Sequence, residues 1–469
     1  MTGAHTVADV RAAEDVLLAR LPEGALMQHA ATGLALAVVE LLDTGRGARI
    51  GLLVGSGNNG GDGLYAGGML ASRGARVEAV LLDPQRAHAA GLAAYRRAGG
   101  RLVDALGRCD LVLDAVLGIG GTAGLRDGAW RHVAALTSPV LAVDVPSGVD
   151  VDGGTLPADG RHVRAAATVT FGTAKVALLA GPAAACAGVV RVIDIGLGPH
   201  LPAPAVATVG VEDLRGLAAA FVPGPDDHKY TRGVVGVAAG SAEYTGAGLL
   251  GVDGAACGLA GMVRYIGPPQ VADLVRARHP EVVVGAGRVQ AWVVGSGGGD
   301  GAADALRRAY DDEVPVVVDA DALQHVAGPP PVPALLTPHA GELARMLSVE
   351  RAAVEADPLA YVRRAVETYD CAVLLKGART LVCGPGSATY VNLTGTPWLG
   401  TAGAGDVLAG LCGALAASTG ADLVRVGAVA AWLHGSAAVR ASAGGPISAS
   451  DVARAVPGVL ARALGAGTG

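Results

Sequence analysis

The sequence predicts an α/β protein of two domains, each with a parallel sheet between layers of helices. Three observations support this prediction. Short apolar runs rich in Val, Leu and Ile alternate with helical segments along the whole chain. A length of 469 residues exceeds one ordinary domain. The composition is 51% hydrophobic but only 3% aromatic, with 72 glycines, which suits strands buried on both faces and joined by tight turns. We therefore expect one domain over residues 1–205 and a second over residues 206–469.

The first domain begins with two predicted helices within residues 6–42, followed by a buried strand at residues 50–54. Further strands are predicted where apolar runs recur. They cover residues 77–82, 168–172 and 189–195, with two more beginning at residues 111 and 140. The proline-rich residues 199–204 predict a stiff, exposed linker to the second domain.

In the second domain the alternation of strands and helices starts again. The predicted strands cover residues 233–240, 282–285, 292–295, 314–319, 334–337 and 372–375. We expect the last long element to run from about residue 406 to residue 417.

Charge and cysteine content exclude several classes of function. A net charge of −6 gives no basic surface for nucleic acid or anionic membrane. Six scattered cysteines without a C-x-x-C pair favour free thiols in a reducing compartment. No apolar run is long enough to span a membrane, and the N-terminus lacks a signal-peptide core. We therefore expect a cytoplasmic protein with no nucleic-acid or membrane partner.

Lysine is rare in this chain, because arginine takes almost every basic position. The three lysines are Lys175, Lys229 and Lys376. Lysine and arginine differ in geometry and hydration. Lysines kept against such a bias are modest candidates for functional sites, while chance survival on the surface is about equally plausible for each.

A glycine-rich loop at residues 55–63 joins the first buried strand to a helix. Free N–H groups at a helix N-terminus make this a ready anion site. Taken alone, the loop fits the G-x-G-x-x-G pattern, with Asp83 as a ribose-binding acid, and suggests a dinucleotide-dependent dehydrogenase. The paired Asn58 and Asn59, followed by Asp62, do not fit a plain pyrophosphate cradle.

Two later strands of the first domain end in polar residues. Asp114 lies at the end of one strand, and Asp144 and Ser147 follow the other. Ligands bind at the carboxyl edge of an open parallel sheet. These residues and the glycine loop therefore predict one convergent polar site. A single aspartate of this kind is more often a turn or capping residue, but three such motifs in order make that interpretation the weaker one.

In the second domain, Gly403-Ala404-Gly405-Asp406 places glycine N–H groups around a carboxylate at a helix start. Phosphoryl transfer needs donors where negative charge develops and a carboxylate that can polarise a hydroxyl. An isolated G-x-G-D is more often a helix cap, but its surroundings reverse that judgement. The accompanying motifs are Asp319-Ala320-Asp321-Ala322-Leu323, Thr337-Pro338-His339-Ala340-Gly341-Glu342, Lys376-Gly377-Ala378-Arg379-Thr380 and Asn392-Leu393-Thr394-Gly395.

At these motifs the second domain resembles the ribokinase-like superfamily and, more narrowly, the ADP/ATP-dependent NAD(P)H-hydrate dehydratases, over nearly all of residues 210–469. Two departures are Ala402, where the family usually has glycine, and residues 295–298 in place of a G-P-G-L-like turn. Both are changes among small residues and concern fine geometry. The resemblance implies a ribokinase-like fold, with Asp406 acting on the hydrate hydroxyl. It also implies an anion hole of Gly403 and Gly405, nucleotide phosphates on Lys376, Gly377, Ala378, Arg379 and Thr380, and hydrate contacts from Ala247, Gly297 and His339. His339 could equally be structural.

At the glycine loop and the two acidic strand ends, the first domain is similar to the NAD(P)H-hydrate epimerases over roughly residues 6–200. This resemblance implies a Rossmann-like fold and a potassium ion held by Asn59, Asp114 and Ser147. Hard oxygen ligands suit an alkali ion, and Asp144 at a strand end suits a general acid or base. The residues implied to contact the substrate are Asn58, Asn59, Gly60, Gly61, Asp62, Gly118, Ile119, Gly120, Gly121, Thr122, Ala123, Gly124 and Asp144.

Both resemblances imply repair of the same damaged metabolite. Reduced nicotinamide cofactors take up water at C6 of the ring and give two epimeric hydrates, NADHX and NADPHX. One domain would interconvert the epimers, and the other would phosphorylate the (S) hydrate and eliminate the phosphate. The implied co-substrate is ADP or ATP with Mg²⁺, with ADP favoured because the fusion is typical of bacteria. We also expect a homo-oligomer.

Three alternatives remain open at the level of sequence. The main one is a ribokinase-like kinase for a small molecule such as a vitamin precursor, fused to a non-catalytic dinucleotide-binding module. The G-x-G-D logic is common to the kinase and the dehydratase, which differ in whether a phosphorylated product is released. A first domain that binds dinucleotide without turnover is the second alternative. The plain dehydrogenase is the weakest, since nothing after the glycine loop supplies a separate hydride-acceptor domain.

Overall fold

The computed structural model describes residues 3–43 and 46–465. Contacts within the described residues divide the chain into two compact units, and the boundary in the sequence lies between Val206 and Ala207. We refer to them as the N-terminal domain and the C-terminal domain. No helix in the described ranges is long and apolar enough to cross a membrane. Both domains are α/β units with parallel sheets, as the alternating apolar runs predict.

The N-terminal domain is built on a parallel sheet whose central strands are almost completely buried. Its strand order is β4-β3-β2-β5-β6-β7-β9, and every pairing in it is parallel. Outside this strand order, β1 pairs in parallel with β8. The strands are β1 (Gly3–His5), β2 (Arg49–Val54), β3 (Arg76–Leu81), β4 (Arg101–Leu102), β5 (Leu111–Ala115), β6 (Val140–Val143), β7 (Ala167–Phe171), β8 (Ala174–Lys175) and β9 (Val189–Ile193), with β10 (Val206–Thr208) at the division between the units.

Helices connect these strands and bury their apolar faces on the sheet. The first begins at Thr6, whose hydroxyl accepts from the N–H of Asp9 in a capping box. Since β2, β5 and β6 are neighbours in the sheet, their carboxyl ends lie together and bring three separate loops to one edge. The helices are α1 (Val7–Leu18), α2 (Ala25–Leu41), α3 (Asn58–Ser72), α4 (Ala89–Arg97), α5 (Asp127–Ala134) and α6 (Val176–Leu179).

The C-terminal domain has strand order β13-β12-β11-β14-β15-β16-β17-β18-β19. The pairings from β13 to β17 are parallel, and β18 and β19 are added antiparallel. The carboxyl ends of β14, β15, β16 and β17 therefore share one edge. The strands are β11 (Val234–Ala238), β12 (Met262–Tyr265), β13 (Val283–Val284), β14 (Ala291–Val294), β15 (Val316–Val318), β16 (Ala334–Leu336), β17 (Ala372–Leu375), β18 (Thr380–Cys383) and β19 (Thr389–Asn392).

Close packing of two helices sets the position of the glycine motif in this domain. A side chain on Gly254 would lie 2.1 Å from the carbonyl of Val407, and one on Gly410 would lie 2.1 Å from the carbonyl of Gly251. These glycines let α8 and α14 approach backbone to backbone. The helices are α7 (Val211–Phe221), α8 (Thr245–Ala255), α9 (Pro269–Arg278), α10 (Ala302–Asp311), α11 (Ala340–Met346), α12 (Arg351–Ala356), α13 (Pro358–Tyr369), α14 (Ala404–Thr419), α15 (Leu423–Ser442) and α16 (Ala449–Ala463).

The expectation that the element over residues 406–417 is the last long one is wrong. Both α15 and α16 follow it, and much of α15 is buried in the core of the C-terminal domain. The sequence of α15 is apolar on nearly every side, so it lacks the one-sided pattern by which surface helices are recognised. The six strands predicted in this domain correspond to β11 and β13 to β17.

Candidate active sites

The glycine loop of the N-terminal domain owes its glycines to close backbone packing. Gly57 precedes α3 with a positive φ of 98°. A side chain on Gly55 would lie 2.0 Å from the carbonyl oxygen of Val116, and one on Gly60 would lie 2.3 Å from that of Gly55. No side chain fits in such gaps. The turn therefore holds the N-terminus of α3 close to the end of β5, with Asn58 as the first helical residue.

Asp114 and Ser147 form a buried pair between the ends of two adjacent strands. The Ser147 hydroxyl donates to Asp114 Oδ1 at 2.6 Å, and the Ser147 N–H donates to Oδ2 at 2.8 Å. The hydroxyl oxygen also accepts from the N–H of Leu117 at 2.8 Å. Burial raises the pKa of Asp114 to about 6, although these hydrogen bonds oppose the rise. The pair ties the loop after β5 to the loop after β6.

Asn59 lies beside this pair of loops with an unsatisfied amide. A side chain on Gly118 would lie 3.1 Å from Asn59 Oδ1, which shows how closely the amide approaches the loop after β5. The Asn59 Nδ2 atom is buried without a hydrogen-bond partner among the described residues. Buried polar atoms are rarely left unpaired, so such an atom indicates a position where a ligand completes the contacts.

Asp144 occupies a strained position at the end of β6 and is firmly held there. Its backbone has a φ of 71°, which a non-glycine residue seldom adopts. Lys175 Nζ donates to Asp144 Oδ1 at 2.6 Å, and Thr170 Oγ1 donates to the same oxygen at 3.0 Å. The N–H of Ile119 donates to Oδ2 at 3.3 Å. Lys175 and Thr170 thus hold Oδ1 in place, while Oδ2 lies beside the loop after β5.

Lys175 is almost completely buried, with 1% of its surface exposed. Its ammonium group also donates to Thr170 Oγ1 and to the carbonyl of Phe171, both at 2.9 Å. A buried ammonium needs a counter-charge and satisfied donors, and Lys175 has both. It was a candidate by its rarity, but its partner Asp144 could not be named from the sequence.

A cavity of about 540 Å³ opens over these groups. Asn58, Asn59, Asp62 and Asp144 line it, as do residues 118–121 of the loop after β5. The remaining lining residues are Arg11, Glu14, Ser56, Gly57, Arg86, Val116, Leu117 and Phe171. The structure therefore brings most of the predicted substrate residues together around one space.

Five of the predicted substrate residues lie outside the lining of this cavity. Gly60 packs against the backbone of its own loop, as described above. Gly61 faces His88 and Met27. Thr122, Ala123 and Gly124 continue the loop after β5, and the N–H of Gly124 donates to the carbonyl of Gly148 at 2.9 Å.

A second group of charged residues lies at the carboxyl edge of the C-terminal sheet, and Asp319 is its centre. This aspartate follows β15 and is 1% exposed. It accepts hydrogen bonds from Lys376 Nζ at 2.6 Å, Thr337 Oγ1 at 2.8 Å and Ser296 Oγ at 2.7 Å. These three donors come from the ends of β17, β16 and β14 respectively. Asp319 therefore fixes the relative positions of four strand ends.

Lys376 extends from this centre toward the glycine motif. Burial lowers the pKa of Lys376, but the carboxylates of Asp319, Glu342 and Asp406 outweigh it and raise the pKa above its ordinary value. A side chain on Gly405 would lie 3.4 Å from Lys376 Nζ. A charged ammonium group therefore stands next to the N-terminus of α14, where an anion would also meet backbone N–H groups.

Asp406 lies in the first turn of α14, after a Gly403 whose φ is 85°. Burial and the nearby Asp319 carboxylate raise the pKa of Asp406 to about 7, while Lys376 and the Ser296 hydroxyl lower it. A side chain on Gly403 would lie 2.2 Å from Leu250, so glycine is required for space as well as for conformation. Asp406 thus changes protonation near neutral pH, as suits a general base.

His339 caps α11 and is half-exposed. Its Nδ1 accepts from the N–H groups of Gly341 and Glu342 at 2.9 and 3.2 Å, while the Glu342 carboxylate accepts from the N–H of His339 at 2.6 Å. This capping box gives His339 a structural role and leaves its Nε2 edge toward Glu342. Ala247 and Gly297 are also adjacent, because a side chain on Gly297 would lie 2.6 Å from the Ala247 methyl group.

The residues after Lys376 lead into β18. Thr380 Oγ1 donates to the carbonyl of Gly377 at 3.4 Å. Burial lowers the pKa of Arg379 from its ordinary value. The N-x-T-G motif serves mainly as a support, since Asn392 Nδ2 donates to the carbonyls of Thr394 and Ala431, both at 3.0 Å.

Several residues of these sites were missing from the predicted sets, among them Glu14, Ser296 and Glu342. Glu14 lines the N-terminal cavity from α1, and nothing in the sequence of that helix distinguishes it. Ser296 lies in the turn at residues 295–298, which departs from the family pattern, so the pattern assigns no role to this serine. Glu342 lies in a recognised motif, and its carboxylate is 3.7 Å from Lys376 Nζ.

Models of known protein families match each domain of the chain separately. A family model described as NAD(P)H-hydrate dehydratase matches residues 235–455. A second, described as YjeF-related protein N-terminus, matches residues 23–177.

Similar proteins cover both halves of the chain. The bifunctional NAD(P)H-hydrate repair enzyme of Mycobacterium tuberculosis is 44% identical over 435 residues, which covers 88% of this chain and 89% of that one. The enzyme of the same description from Corynebacterium glutamicum is 33% identical over 517 residues, with 88% and 89% covered. A solved ribokinase-like superfamily protein from Enterococcus faecalis covers 56% of this chain and 98% of its own, with a TM-score of 0.50 at 20% identity. This last likeness concerns the fold alone.

Proposed function

The chain belongs to the bifunctional NAD(P)H-hydrate repair enzymes, and from this premise we propose how its two sites divide the work. The N-terminal site interconverts the (R) and (S) epimers of hydrated NADH and NADPH. The C-terminal site removes water from the (S) epimer with a nucleotide as phosphoryl donor. The observation that carries this proposal is the presence of two separate acidic sites, each at the carboxyl edge of its own sheet.

In the N-terminal site, Asp144 is the catalytic carboxylate. Its ion pair with Lys175 and its hydrogen bond from Thr170 orient the group. The substrate contacts are assigned to Asn58, Asn59, Gly60, Gly61 and Asp62, to residues 118–124, and to Asp144. Asn58, Asn59, Asp62, residues 118–121 and Asp144 line the cavity, which supports their assignment. Gly60, Gly61 and residues 122–124 lie outside the lining and are assigned only because they match the family pattern.

Potassium is the cation that best fits the N-terminal donor set. Asn59, Asp114 and Ser147 offer amide, carboxylate and hydroxyl oxygens, the hard ligands that suit an alkali ion. The ion would offset the negative charge of Asp114 and fix the loop after β5. Thermal denaturation in matched potassium and lithium salts tests this without reference to activity. Potassium should stabilise the wild type and not Asn59→Ala, and equal melting in both salts would contradict the assignment.

In the C-terminal site, the N–H groups at Gly403 and Gly405 form the anion hole for the transferred phosphoryl group. Asp406 accepts the proton of the hydrate hydroxyl, whose oxygen then attacks the terminal phosphate of the nucleotide. The bond from that phosphorus to the bridging oxygen breaks, and AMP leaves when ADP is the donor. The new phosphate group then leaves C6 with its electron pair as C5 loses a proton, which restores the C5=C6 double bond of the reduced nicotinamide. The nucleotide phosphates bind at Lys376 and along residues 377–380, beside the N-terminus of α14. Ala247, Gly297 and His339 contact the hydrate from the other elements of the site.

ADP or ATP serves as the phosphoryl donor, and ADP is the donor we propose. Among the described residues there is no cluster of three His, Cys, Asp or Glu side chains that could hold a metal ion. Mg²⁺ enters with the nucleotide and is held mainly through its phosphates, as is usual where this ion serves phosphoryl transfer. A cytoplasmic homo-oligomer with no nucleic-acid or membrane partner completes the proposal.

One experiment separates repair from a kinase activity that releases a phosphorylated product. The protein is incubated with purified NADH hydrates, Mg²⁺ and either ADP or ATP, and the absorbance of the reduced nicotinamide ring is followed. Restored NADH together with free phosphate is the expected result. A phosphorylated hydrate that accumulates without restored NADH would contradict the dehydratase assignment. Asp104→Asn, a change at an exposed residue, is the matched control for any aspartate variant.

A further inference from the structure

Three carboxyl groups line the N-terminal cavity. They belong to Glu14, Asp62 and Asp144. One of them is ion-paired, and another is buried without a hydrogen-bond donor among the described residues. When the surroundings of two carboxyls in one site favour different protonation states, one is suited to donate a proton and the other to accept one. Asp62 and Asp144 meet this condition.

The Asp144 carboxylate has a cationic partner and two further hydrogen-bond donors. Its carboxylate accepts from the Lys175 ammonium group at 2.6 Å, from the Thr170 hydroxyl at 3.0 Å and from the N–H of Ile119 at 3.3 Å. Lys175 has no competing carboxylate partner among the described residues, since its other two bonds go to a hydroxyl and a carbonyl. An ion pair with two further donors stabilises a buried carboxylate.

The surroundings of Asp62 favour its neutral form. The residue is 9% exposed and lies in the second turn of α3. Burial raises the pKa of Asp62 well above its ordinary value, the negative charges of Asp144 and Glu14 raise it further, and only Lys175 acts in the other direction. No hydrogen bond from a described residue contributes to this balance. Burial of a carboxyl without a hydrogen-bond donor disfavours its charged form.

We propose that Asp62 is the general acid of the N-terminal reaction and that Asp144 is its general base. This assignment rests on the proposed epimerase function and adds a second catalytic residue to it. Asp62 is otherwise only one of several substrate contacts. Both groups line the same cavity, as two residues that act on one bound ring must.

The step that these residues support is loss and return of the C6 hydroxyl group. Protonated Asp62 gives its proton to the hydroxyl, the C6–O bond breaks with its electron pair leaving on water, and the N1 lone pair forms an N1=C6 double bond. A water molecule then adds to the opposite face of C6, and the N1=C6 pair returns to N1. Asp144 takes the proton that this water loses. Exchange of protons with solvent restores both groups, and no oxidant or reductant is needed.

Other charged groups around Asp62 enter its pH dependence. Glu14 comes from α1, Asp144 from the end of β6 and Lys175 from β8. The same cavity holds Arg11 and Arg86, and His88 lines the neighbouring space that Asp62 also borders. Asp62 must be protonated to act, so epimerisation should decline at high pH as it loses that proton.

Asp62→Asn in the full chain tests the assignment. Epimerisation is followed by chromatography of the two hydrates without nucleotide, so that the C-terminal domain does not consume the (S) epimer. We expect the rate to fall at least about 100-fold, because general acids contribute roughly 10²–10⁴-fold. The decline at high pH should also disappear from the residual rate. Hydrate binding, measured by calorimetry, should persist, and Asp104→Asn should match the wild type. Circular dichroism checks the fold of each variant.

Wild-type epimerisation in Asp62→Asn, with an unchanged pH profile, would overturn the role of Asp62 and leave the epimerase function intact. A wild-type protein that interconverts no hydrate would instead remove the function itself. Inversion in water labelled with heavy oxygen gives an independent reading that no folding defect can imitate. We expect one labelled oxygen for each inverted hydrate, and inversion with retention of the original oxygen would overturn the C6–O cleavage.

Discussion

Replacement of Lys175 by methionine tests the buried ion pair on which the N-terminal site depends. Methionine has a similar length and no charge, so it removes the ammonium group with little change in volume. The side chains of Lys175 and Asp144 are 2% and 10% exposed, and the two atoms of the pair are 2.6 Å apart. The variant leaves the Asp144 carboxylate buried without its counter-charge.

Loss of one partner from a buried ion pair typically lowers the free energy of unfolding by about 3–5 kcal/mol. Lys175 also loses its bonds to Thr170 and Phe171, so we expect a value within this range. Since about 1.4 kcal/mol corresponds to a factor of ten, amide exchange that requires unfolding of the N-terminal domain should accelerate by roughly 10²-fold to a few thousandfold.

Hydrogen exchange with mass spectrometry provides the assay, because it reports each domain separately. Peptides from β7 and β8 should exchange faster in Lys175→Met, while peptides from the C-terminal domain serve as an internal reference. Lys229→Met is the matched control, since Lys229 is exposed and its loss should change stability by less than about 0.5 kcal/mol. The double variant Lys175→Met/Asp144→Asn should recover part of the loss. Unchanged exchange of β7 and β8 in Lys175→Met would refute the stabilising role of the pair.

Three further predictions follow from single groups. The dehydratase kcat/KM should fall roughly tenfold for each pH unit below about 7, because Asp406 must be unprotonated and its pKa is about 7; a pH profile that is flat there would contradict its role as base. The hydrogen bond from His279 to Asp253 raises the pKa of His279. The stability that this hydrogen bond contributes is complete below pH 6.5, the pKa of His279 in the unfolded chain. It is lost as pH rises through the higher pKa of His279 in the folded protein. The melting temperature of the C-terminal domain should therefore fall over that range in the wild type, and less in His279→Gln. Gly55→Ala should destabilise the N-terminal domain because its methyl group would lie 2.0 Å from a backbone oxygen, while Gly107→Ala, with nothing within 4 Å, should melt like the wild type.

The sequence was sufficient to predict the fold class because buried parallel strands are continuous apolar runs. Most of the strands of both sheets were located in this way. The hairpin of β18 and β19 was missed because its apolar runs are only three and two residues long, Leu381–Cys383 and Tyr390–Val391, and polar residues stand at the strand ends. The long helix α15 was missed because it is buried on most sides.

The candidate sites were predictable as sets of residues but not as sets of contacts. Motif order placed Asp114, Asp144 and Ser147 near one another, since their strands are neighbours. The bond from Lys175 to Asp144 spans 31 residues and depends on the short pair of β1 with β8, which has no sequence signature. The rarity of lysine was the only signal for it.

Asp319 illustrates the same limit in the C-terminal domain. The motif around it was recognised, yet its three hydrogen-bond donors follow three different strands. Only the sheet order brings those strand ends together. The different surroundings of Asp62 and Asp144 likewise depend on contacts between distant parts of the chain. They could not be predicted from the sequence.

The central claim is that one chain repairs both hydrate epimers through two separate acidic sites. The most direct measurement follows recovery of NADH from an equal mixture of the epimers with ADP and Mg²⁺, for the wild type, Asp144→Asn and Asp406→Asn. The wild type should restore the whole pool, Asp144→Asn should restore only the (S) half at the catalysed rate, and Asp406→Asn should restore almost none. Full and rapid recovery by Asp144→Asn, or any rapid recovery by Asp406→Asn, would contradict this division of labour.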